Sequence, residues 1–359
     1  MAKVLMKGNE AMALAAIAAG CDGFFGYPIT PQNELIETMS KEMPANQRVF
    51  VQAESEVAAI NMIYGGAGSG GLVMTSSSSV GIALKQEGIS YCAAAELPCV
   101  LVSVSRGGPG LGGIQPGQAD YHQSVKGGGN GDYRIIVLAP NSVQEASDMV
   151  RESFVLAQKY RNPVMVLADG VIGQMMEPVE INQRPVERFE NDLWAANGNH
   201  QRRSQRNIIN SLHMNPDDLE AHNQHLMKKY QKISDEITEI ELYNMQGASQ
   251  AFIAYGTSSR IAIAAIDQLN QIGKKVGLIR LKTLWPFPYK EILEATKTLN
   301  SVLVAELSMG QLVQDIKGLL NNRTKVGFYG RAGGNLFTPE ELVEAMMALE
   351  TEAEHDYYI

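Results

Sequence analysis

Apolar positions in the first half of the chain follow two patterns, and each pattern predicts one kind of element. Apolar residues three and four apart predict amphipathic helices, whereas short, almost wholly apolar runs predict strands covered on both faces. The run Val164-Met165-Val166-Leu167 is typical of the second kind. Up to residue 180 the pattern predicts helices at 8–19, 31–43, 55–65, 80–95 and 142–158, and strands at 24–27, 49–52, 72–76, 99–105, 134–138 and 164–167.

The same alternation of strands and helices returns after residue 246, but the intervening stretch differs. From about residue 180 to 246 the composition shifts to Asn, Gln, Glu, Lys and Arg, which predicts a polar connector with one solvated helix bearing His222 and His225. No third ligand for a metal is evident beside these two histidines. The chain therefore predicts an α/β protein of two parallel-sheet domains, 1–180 and 247–359, joined by the connector 181–246.

The composition of the chain argues against several classes of function. The 359 residues include 30 basic and 39 acidic side chains, a net charge of −9 that disfavours binding to nucleic acid. No apolar run reaches the roughly 18 residues of a membrane span. The three cysteines, Cys21, Cys92 and Cys99, are an odd number without a signal peptide, so free thiols and a cytoplasmic location are expected. They are too few and too scattered to ligate an iron-sulfur cluster.

Two glycine-containing motifs do not support the functions that they suggest. Residues 66–71, Gly-Ala-Gly-Ser-Gly-Gly, match the dinucleotide-binding pattern, but a helix precedes them and a strand follows, which is the reverse of the required order. These glycines are instead expected to end a helix. Asp169-Gly170 is similar to part of a thiamine diphosphate magnesium loop, but Ala168 stands where that pattern has its first glycine. No metal site is therefore predicted.

The segment 26–31, Gly-Tyr-Pro-Ile-Thr-Pro, follows a predicted strand and predicts a helix start. Thr30 would be the N-cap and Pro31 the first helical residue. One interpretation is that the Thr30 hydroxyl only caps its own helix. The other is that the hydroxyl and the exposed amides bind an anionic group such as a carboxylate.

Glu56 is the most anomalous residue of the pattern. With Ser55 as N-cap, Glu56 lies on the helix face that continues through Ala59, Ile60 and Ile63, and that face is apolar. One explanation of its position is that the first turn of the helix is exposed to solvent, where a glutamate interacts favourably with the helix dipole. The alternative is a buried carboxyl that exchanges a proton or binds a cofactor nitrogen. Glu54, two residues earlier, cannot pair with it on a helix.

Arg106 begins a long glycine-rich connection at the end of a predicted strand. Open α/β sheets bind ligands at the carboxyl ends of their strands, and a connection as long as 107–133 is typical of a functional loop. Arg106 could bind a substrate carboxylate through its planar guanidinium. A surface ion pair is the alternative interpretation.

In order along the chain, these motifs resemble the 2-oxoacid:ferredoxin oxidoreductase family. The resemblance rests on segments 27–31 (Tyr-Pro-Ile-Thr-Pro), 54–59 (Glu-Ser-Glu-Val-Ala-Ala) and 105–110 (Ser-Arg-Gly-Gly-Pro-Gly). Segments 7–10, 112–116 and 126–129 are similar to subunits of that family that act on branched-chain 2-oxoacids. The second domain, with 255–257, 284–288, Glu306 and 310–312, is similar to a transketolase C-terminal domain.

The resemblance implies a thiamine diphosphate pyrimidine-binding fold for residues 1–180 and a role for each candidate residue. Glu56 would be catalytic, because its carboxyl would hydrogen-bond N1′ of the cofactor's aminopyrimidine and so promote loss of the thiazolium C2 proton. Thr30 and Arg106 would bind the carboxylate and keto group of the substrate. Pro28 and Arg106 would also border the cofactor, and Glu54 would have no role.

The resemblance also implies partner chains. Mg²⁺, diphosphate binding and iron-sulfur clusters are expected on other subunits, namely a thiamine diphosphate subunit, a ferredoxin-like subunit and a gamma subunit. Coenzyme A would accept the acyl group and ferredoxin the electrons. The implied reaction is oxidative decarboxylation of a branched-chain 2-oxoacid, 2-oxoisovalerate, by a complex in which this chain is inactive alone.

Three alternatives stay open at this point. The first is a 2-oxoglutarate:ferredoxin oxidoreductase subunit, although no cation that would bind a second carboxylate appears between Gly107 and Val125. The second is the β subunit of a lipoamide-linked 2-oxoacid dehydrogenase, which is built from the same two domains. The third is a non-catalytic scaffold that keeps only the fold.

Overall fold

A computed structural model of the chain describes residues 3–198, 206–321, 323–351 and 356–358. The helices are α1 Gly8–Ala19, α2 Asn33–Ala45, α3 Glu56–Gly68, α4 Ser79–Ala94, α5 Tyr121–Val125, α6 Val143–Tyr160, α7 Gly170–Gln174, α8 Pro216–Glu236, α9 Gly256–Gln271, α10 Tyr289–Thr296, α11 Leu312–Leu320 and α12 Pro339–Thr351. The strands are β1 Val4–Lys7, β2 Gly23–Gly26, β3 Val49–Gln52, β4 Val73–Ser77, β5 Val100–Ser105, β6 Ile136–Leu138, β7 Val164–Asp169, β8 Met176–Val179, β9 Ile240–Tyr243, β10 Gln250–Ala254, β11 Val276–Leu281, β12 Thr283–Trp285, β13 Ser301–Glu306, β14 Lys325–Gly330 and β15 Asp356–Tyr358.

Two larger sheets organise these elements, and both are parallel except at one edge. The first has the order β12-β6-β7-β5-β4-β2-β3, with β12 antiparallel to β6. The second has the order β15-β14-β13-β10-β11-β9, with β9 antiparallel to β11. Strands β1 and β8 form a separate antiparallel pair. The prediction of an α/β fold with two mainly parallel sheets is confirmed.

Helices cover both faces of the first sheet, which explains its continuous apolar strands. On one face, α1, α2, α6 and α8 contribute to a core that includes Met12, Leu35, Phe154 and Tyr230. On the other face, side chains of α3 and α4 share a core with the second sheet, whose Ile253 lies in the same cluster as Leu101 of β5. The two sheets are therefore joined by one continuous apolar core.

The connector helix α8 corrects one expectation. It is not solvated all round, because Leu226, Tyr230 and Ile233, spaced four and three residues apart, are buried against the first sheet's core. His222 lies 2.8 Å from the carbonyl of Ala94, and His225 lies 3.1 Å from the carboxylate of Glu96. Among the residues that the structure describes, no cluster of three or more possible metal ligands occurs.

The start of α2 corrects a second expectation, since Thr30 is not its N-cap. The helix begins at Asn33 with Gln32 as N-cap. The carbonyl of Pro31 accepts hydrogen bonds from the side chains of Asn9 and Gln174, at 2.8 and 2.9 Å, and not from an amide of the helix. The first helical residue is therefore Asn33 and not Pro31.

Several other features agree with the sequence. Ser55 caps α3 by accepting a hydrogen bond from the amide of Ala58 at 3.1 Å. The glycine run 66–71 ends that helix, with Gly70 at φ +89°. The three cysteines are free and buried. Within the described ranges, no helix is long and apolar enough to cross a membrane.

Buried polar side chains join the first sheet to the second domain. Asp169, at the end of β7, accepts hydrogen bonds from the amides of Val171 and Ile172 and from the hydroxyl of Thr257, the last at 2.7 Å. Gln118 donates to the carbonyl of Tyr255 at 2.9 Å. Because these groups are buried, each would cost free energy if its partner were lost.

We expect Asp169→Ala to lower the free energy of unfolding by about 3 kcal/mol, because it leaves amide and hydroxyl donors without an acceptor in a dry interface. The measurement is urea unfolding of the full chain. The control is Asp148→Ala, an exposed position on α6 whose carboxylate only accepts from Gln144, with an expected change within about 0.5 kcal/mol. Similar small effects of both substitutions would contradict this linking role.

Candidate active site

The carboxyl ends of four neighbouring parallel strands place the candidate residues at one edge of the first sheet. Segment 27–30 follows β2, Glu56 follows β3, the serines 77–79 lie between the last residue of β4 and the first of α4, and Arg106 follows β5. Ligands of open α/β sheets bind at this edge. The fold thus brings Thr30, Glu56 and Arg106 to the same side of the sheet.

Glu56 is the first residue of α3 and is 6% exposed. Glu54 is exposed. Within the described part of the chain, no side chain or amide is hydrogen-bonded to the Glu56 carboxylate. Buried carboxylates normally have partners, so this one is available to a ligand. Of the two interpretations of Glu56 drawn from the sequence, its low exposure favours the buried carboxyl.

Two glycines of α4 let this helix pack closely against α3. A Cβ at Gly88 would lie 2.5 Å from Ile60, and a Cβ at Gly81 would lie 2.6 Å from Oε1 of Glu56. The same Cβ at Gly81 would lie 2.0 Å from the hydroxyl of Ser77. The carboxylate of Glu56 is therefore held against the backbone of α4 at a position where only hydrogen fits.

Lys85 lies one turn after Gly81 and is fully buried. Its ammonium donates to the hydroxyl of Thr75 at 2.7 Å and to the carbonyl of Ser76 at 3.0 Å. Burial lowers the pKa of Lys85 from 10.5 to about 7, and the negative charge of Glu56 acts in the opposite direction. The site therefore contains a fully buried lysine one helical turn from the glycine against which Glu56 packs.

Arg106 is 6% exposed, and its side chain is fixed by backbone carbonyls. Nη1 donates to the carbonyl of Thr30 at 2.9 Å, and Nη2 donates to the carbonyl of Leu111 at 3.0 Å. Its Nε is buried without a partner. No carboxylate of the described residues lies within ion-pair distance of the guanidinium, so the surface ion pair considered from the sequence is not formed. The positive charge is oriented and available to an anionic ligand.

Thr30 and Pro28 lie in the loop that enters α2. The hydroxyl of Thr30 accepts a hydrogen bond from the side chain of Asn33 at 3.3 Å, and Thr30 is half-buried. Pro28 is exposed at this edge. The contact between Arg106 and the Thr30 carbonyl brings these two candidate residues together directly.

The first turn of α4 adds polar groups that the sequence did not single out. Ser79 accepts a hydrogen bond from the amide of Arg106 at 2.9 Å and donates to the carboxylate of Asp120 at 2.6 Å. Burial raises the pKa of Asp120, while Ser79 and the charge of Arg106 partly oppose this rise. The hydroxyls of Ser77 and Ser78 are buried without partners. These unsatisfied atoms indicate a polar ligand at this edge.

A cavity of about 750 Å³ opens beside this edge, between the first sheet and the second domain. Its walls are mostly glycine and apolar side chains, and Asp120 is the one charged residue among the described residues that line it. Gln123 points a buried carbonyl oxygen without a partner into the same region. The lining comprises Ser79, Val80, Ala83, Leu84, Gly107, Gly108, Pro109, Gly110, Gly117, Ala119, Asp120, Gln123, Leu307, Met309, Gln311, Ala332 and Gly333.

Signals for the additional residues were present in the sequence. The serine run 76–79 follows an apolar strand, at the end where ligands bind. Lys85 lies on the apolar stripe of α4, three residues after Ile82 and four before Ile89, where a charge is as anomalous as Glu56 is on α3. Asp120 gave no comparable local signal, because its partner Ser79 lies 41 residues away.

Comparison with known proteins identifies the class. Residues 14–242 match the profile described as pyruvate flavodoxin/ferredoxin oxidoreductase, thiamine diphosphate-binding, and residues 248–342 match that of pyruvate:ferredoxin oxidoreductase core domain II. The chain therefore belongs to the family of 2-oxoacid:ferredoxin oxidoreductases and contains its thiamine diphosphate-binding domain.

Two relatives extend over almost the whole chain. The ketoisovalerate oxidoreductase subunit VorB of Methanothermobacter marburgensis is 46% identical over 98% of this chain and 99% of its own length. The 2-oxoglutarate synthase subunit KorA of the same organism is 34% identical over 96% of this chain and 98% of its own length. By sequence identity, this chain is therefore more similar to the ketoisovalerate oxidoreductase subunit than to the 2-oxoglutarate synthase subunit.

Two solved structures share the fold. A 2-oxoglutarate:ferredoxin oxidoreductase from Magnetococcus marinus, solved with 2-oxoglutarate, coenzyme A and succinyl-CoA bound, superposes with a TM-score of 0.83 at 27% identity over 97% of this chain. This chain spans 65% of that longer chain. A split-gene transketolase superposes over 96% of this chain and 98% of its own with a TM-score of 0.60 at 13% identity, which supports the transketolase-like architecture alone.

The observed groups fit the pyrimidine ring of thiamine diphosphate. The Glu56 carboxylate has no hydrogen-bond partner within the described chain, and the Ser77 hydroxyl, which lies against the same side of Gly81, also lacks one. The Ser78 hydroxyl at the start of α4 is likewise buried without a partner. Asp169, by contrast, already accepts hydrogen bonds from the chain itself. This edge thus offers polar partners for a heterocycle.

We expect Gly81→Ala to lower the free energy of unfolding by about 1–3 kcal/mol, because its methyl group would displace Glu56 and Ser77. The matched control is Gly65→Ala on α3, where a Cβ meets nothing within 4 Å. There the loss of backbone freedom in the unfolded chain predicts a gain of about 0.5–1 kcal/mol. Equal urea-unfolding free energies for both variants would contradict the close packing at Gly81.

Proposed function

We propose that this chain is the subunit of a 2-oxoisovalerate:ferredoxin oxidoreductase that binds the pyrimidine half of thiamine diphosphate. The complex would oxidatively decarboxylate branched-chain 2-oxoacids to acyl-coenzyme A and pass the electrons to ferredoxin. The 46% identity to a ketoisovalerate oxidoreductase subunit over nearly full length supports this substrate. The observation that carries the proposal is the buried, unpartnered Glu56 at the carboxyl edge of the sheet.

Glu56 is the catalytic residue of this proposal. Its carboxyl would form a hydrogen bond with N1′ of the aminopyrimidine and share a proton with that ring nitrogen. Its carboxylate packs against Gly81, which restricts the directions that the carboxyl can take. When bound, thiamine diphosphate supplies the thiazolium ring that accepts the electron pair released by decarboxylation.

Arg106 and Thr30 are proposed to bind the carboxylate and keto group of the substrate. The guanidinium is already oriented by the carbonyls of Thr30 and Leu111, which lowers the entropy cost of binding an anion. The hydroxyl of Thr30 adds a donor next to that cation. Pro28 and the apolar stem of Arg106 would border the cofactor.

The cavity beside Arg106 is proposed to receive the side chain of the substrate. A branched aliphatic group matches its glycine and apolar walls. A second carboxylate would find no lysine or arginine among the described lining residues and would meet Asp120 instead. This arrangement favours 2-oxoisovalerate over 2-oxoglutarate.

The remaining components are proposed to lie on other chains in the cytoplasm. Mg²⁺ and iron-sulfur clusters are assigned to a thiamine diphosphate subunit, a ferredoxin-like subunit and a gamma subunit. The division into 1–180, 181–246 and 247–359 is retained as a proposal, although β9 lies before residue 247 and pairs with the second sheet. The chain would be active only in the assembled complex.

We expect Glu56→Gln to reduce turnover of 2-oxoisovalerate in the assembled complex by at least about 100-fold, because the amide cannot hold the proton that the carboxyl supplies. Ferredoxin reduction measures the effect. The control is Glu54→Gln, the exposed neighbour, which should retain native turnover. Full activity of Glu56→Gln in an intact complex would contradict catalysis and favour a scaffold.

The substrate proposal is tested by comparing kcat/KM for 2-oxoisovalerate and 2-oxoglutarate in the same complex. A cavity without a cation predicts a preference for 2-oxoisovalerate of at least about 100-fold, since an unpaired carboxylate would have to be desolvated. A preference for 2-oxoglutarate would refute the assigned substrate and leave the role of Glu56 unaffected.

A further inference from the structure

Segment 7–10, Lys-Gly-Asn-Glu, is a motif that the proposed function does not use. It spans the end of β1 and the start of α1, and Asn9 within it is fully buried. The side-chain nitrogen of Asn9 donates to the carbonyl of Pro31 and to Oε2 of Glu34, both at 2.8 Å. Because only the NH₂ end of a side-chain amide can face two acceptors, these contacts fix the orientation of the Asn9 amide.

Gln174, the last residue of α7, makes the same pair of contacts. Its side-chain nitrogen donates to the carbonyl of Pro31 at 2.9 Å and to Oε2 of Glu34 at 2.7 Å. Lys7 joins the cluster through an ion pair with Oε1 of Glu34 at 2.7 Å and a hydrogen bond to Oε1 of Gln174 at 3.2 Å. The side chains of Asn9 and Gln174, here called the amide clamp, thus hold one carbonyl and one carboxylate between them.

Close packing of α1 against α7 gives the amide clamp a firm base. A Cβ at Gly8 would lie 1.9 Å from the carbonyl oxygen of Ile172, and a Cβ at Gly173 would lie 2.8 Å from Oδ1 of Asn9. The amide of Gly8 also donates to the carbonyl of Met175 at 3.2 Å. The two helices that carry the clamp are therefore in direct backbone contact, which restricts the separation of the two amides.

The amide clamp acts on the loop 27–32, which enters α2 and carries Thr30. The carbonyl of Thr30 accepts a hydrogen bond from Nη1 of Arg106 at 2.9 Å, and the next carbonyl, that of Pro31, is held by the clamp. The hydroxyl of Ser76 donates to Oε1 of Gln32 at 2.6 Å. Three successive residues of the loop are thus bonded to different elements, and loss of the clamp would free the peptide next to the contact between Thr30 and Arg106.

We propose that Asn9 and Gln174 are positioning residues for the substrate, because they hold the loop on which Thr30 meets Arg106. This inference rests on the proposed function for the identity of the substrate, a 2-oxoacid, and the two amides act through Thr30 and Arg106. A loop that is ordered before the substrate arrives lowers the entropy cost of binding. Loss of a clamp bond should therefore weaken substrate binding more than it slows the reaction of bound substrate.

The first test uses Gln174→Met in the assembled complex and measures KM and kcat for 2-oxoisovalerate. Gln174 is exposed, so the substitution removes its donors without opening a cavity in the core. We expect KM to rise about 10-fold while kcat stays within about 2-fold of the native value. The matched control is Gln183→Met, an exposed glutamine whose amide donates to the carbonyl of Ile181, and it should leave both constants unchanged. An unchanged KM, or a fall in kcat as large as the rise in KM, would overturn the proposal.

Amide hydrogen exchange of the full chain without substrate tests the ordering of the loop independently. The amide of Gln32 donates to the carbonyl of Ile29, and the amide of Leu35 donates to that of Gln32, both at 3.1 Å, so these two protons report the order of the loop. Gln174→Met should speed their exchange at least about fivefold, and Gln183→Met should not. Unchanged exchange would overturn the proposal. A native complex that does not turn over 2-oxoisovalerate would refute the proposed function, and the exchange rates would still decide whether the clamp orders the loop.

Discussion

The close packing of α3 against α4 is the constraint on which the candidate site depends. It requires glycine at positions 81 and 88, because a Cβ at either would collide with α3 side chains. It places the first residue of α3 inside the protein and not at a wet helix end. A glutamate at that position is then largely buried, while its carboxylate has no hydrogen-bond partner in the described chain.

The second domain supports this site more than it contributes to its chemistry. The Glu306 carboxylate, fully buried, accepts hydrogen bonds from the amides of Gln311, Leu312 and Val313 and so fixes the start of α11. Gln311 in turn accepts from the amide of His122 at 2.7 Å, next to Asp120. Contacts from the second domain therefore help to fix the segment 119–122, which follows the loop after Arg106.

Local periodicity was sufficient for the elements that pack against sequence neighbours. The predicted helix 8–19 and strand 49–52 coincide with α1 and β3, and the other predicted strands are displaced by at most about two residues. The sequence missed β1 and β8, whose pairing joins Val4 to Val179, and β12, which crosses from the second half into the first sheet. Pairing over such distances leaves no local pattern.

The candidate site follows the same rule: residues with a local sequence signal were found, and residues defined by distant contacts were not. Glu56 was found because its own helix makes it anomalous, and Arg106 because its strand end is recognisable. Thr30 was assigned the wrong backbone role: its carbonyl accepts a hydrogen bond from Arg106, which is distant in sequence, and the helix begins at Asn33. Asp120 could be assigned to the site only from the structure, through the hydrogen bond that Ser79 donates to its carboxylate.

The balance of charge at this edge bears on which half of a cofactor the chain can hold. Charged groups near this edge include the carboxylates of Glu56 and Asp120 and the cations of Lys85 and Arg106. Arg106 makes no ion pair with a carboxylate of the described residues, which matches the binding of a single substrate carboxylate. Under the proposed function, a neutral heterocycle and a monoanionic substrate fit these groups, and a diphosphate would draw its compensating charge from another chain.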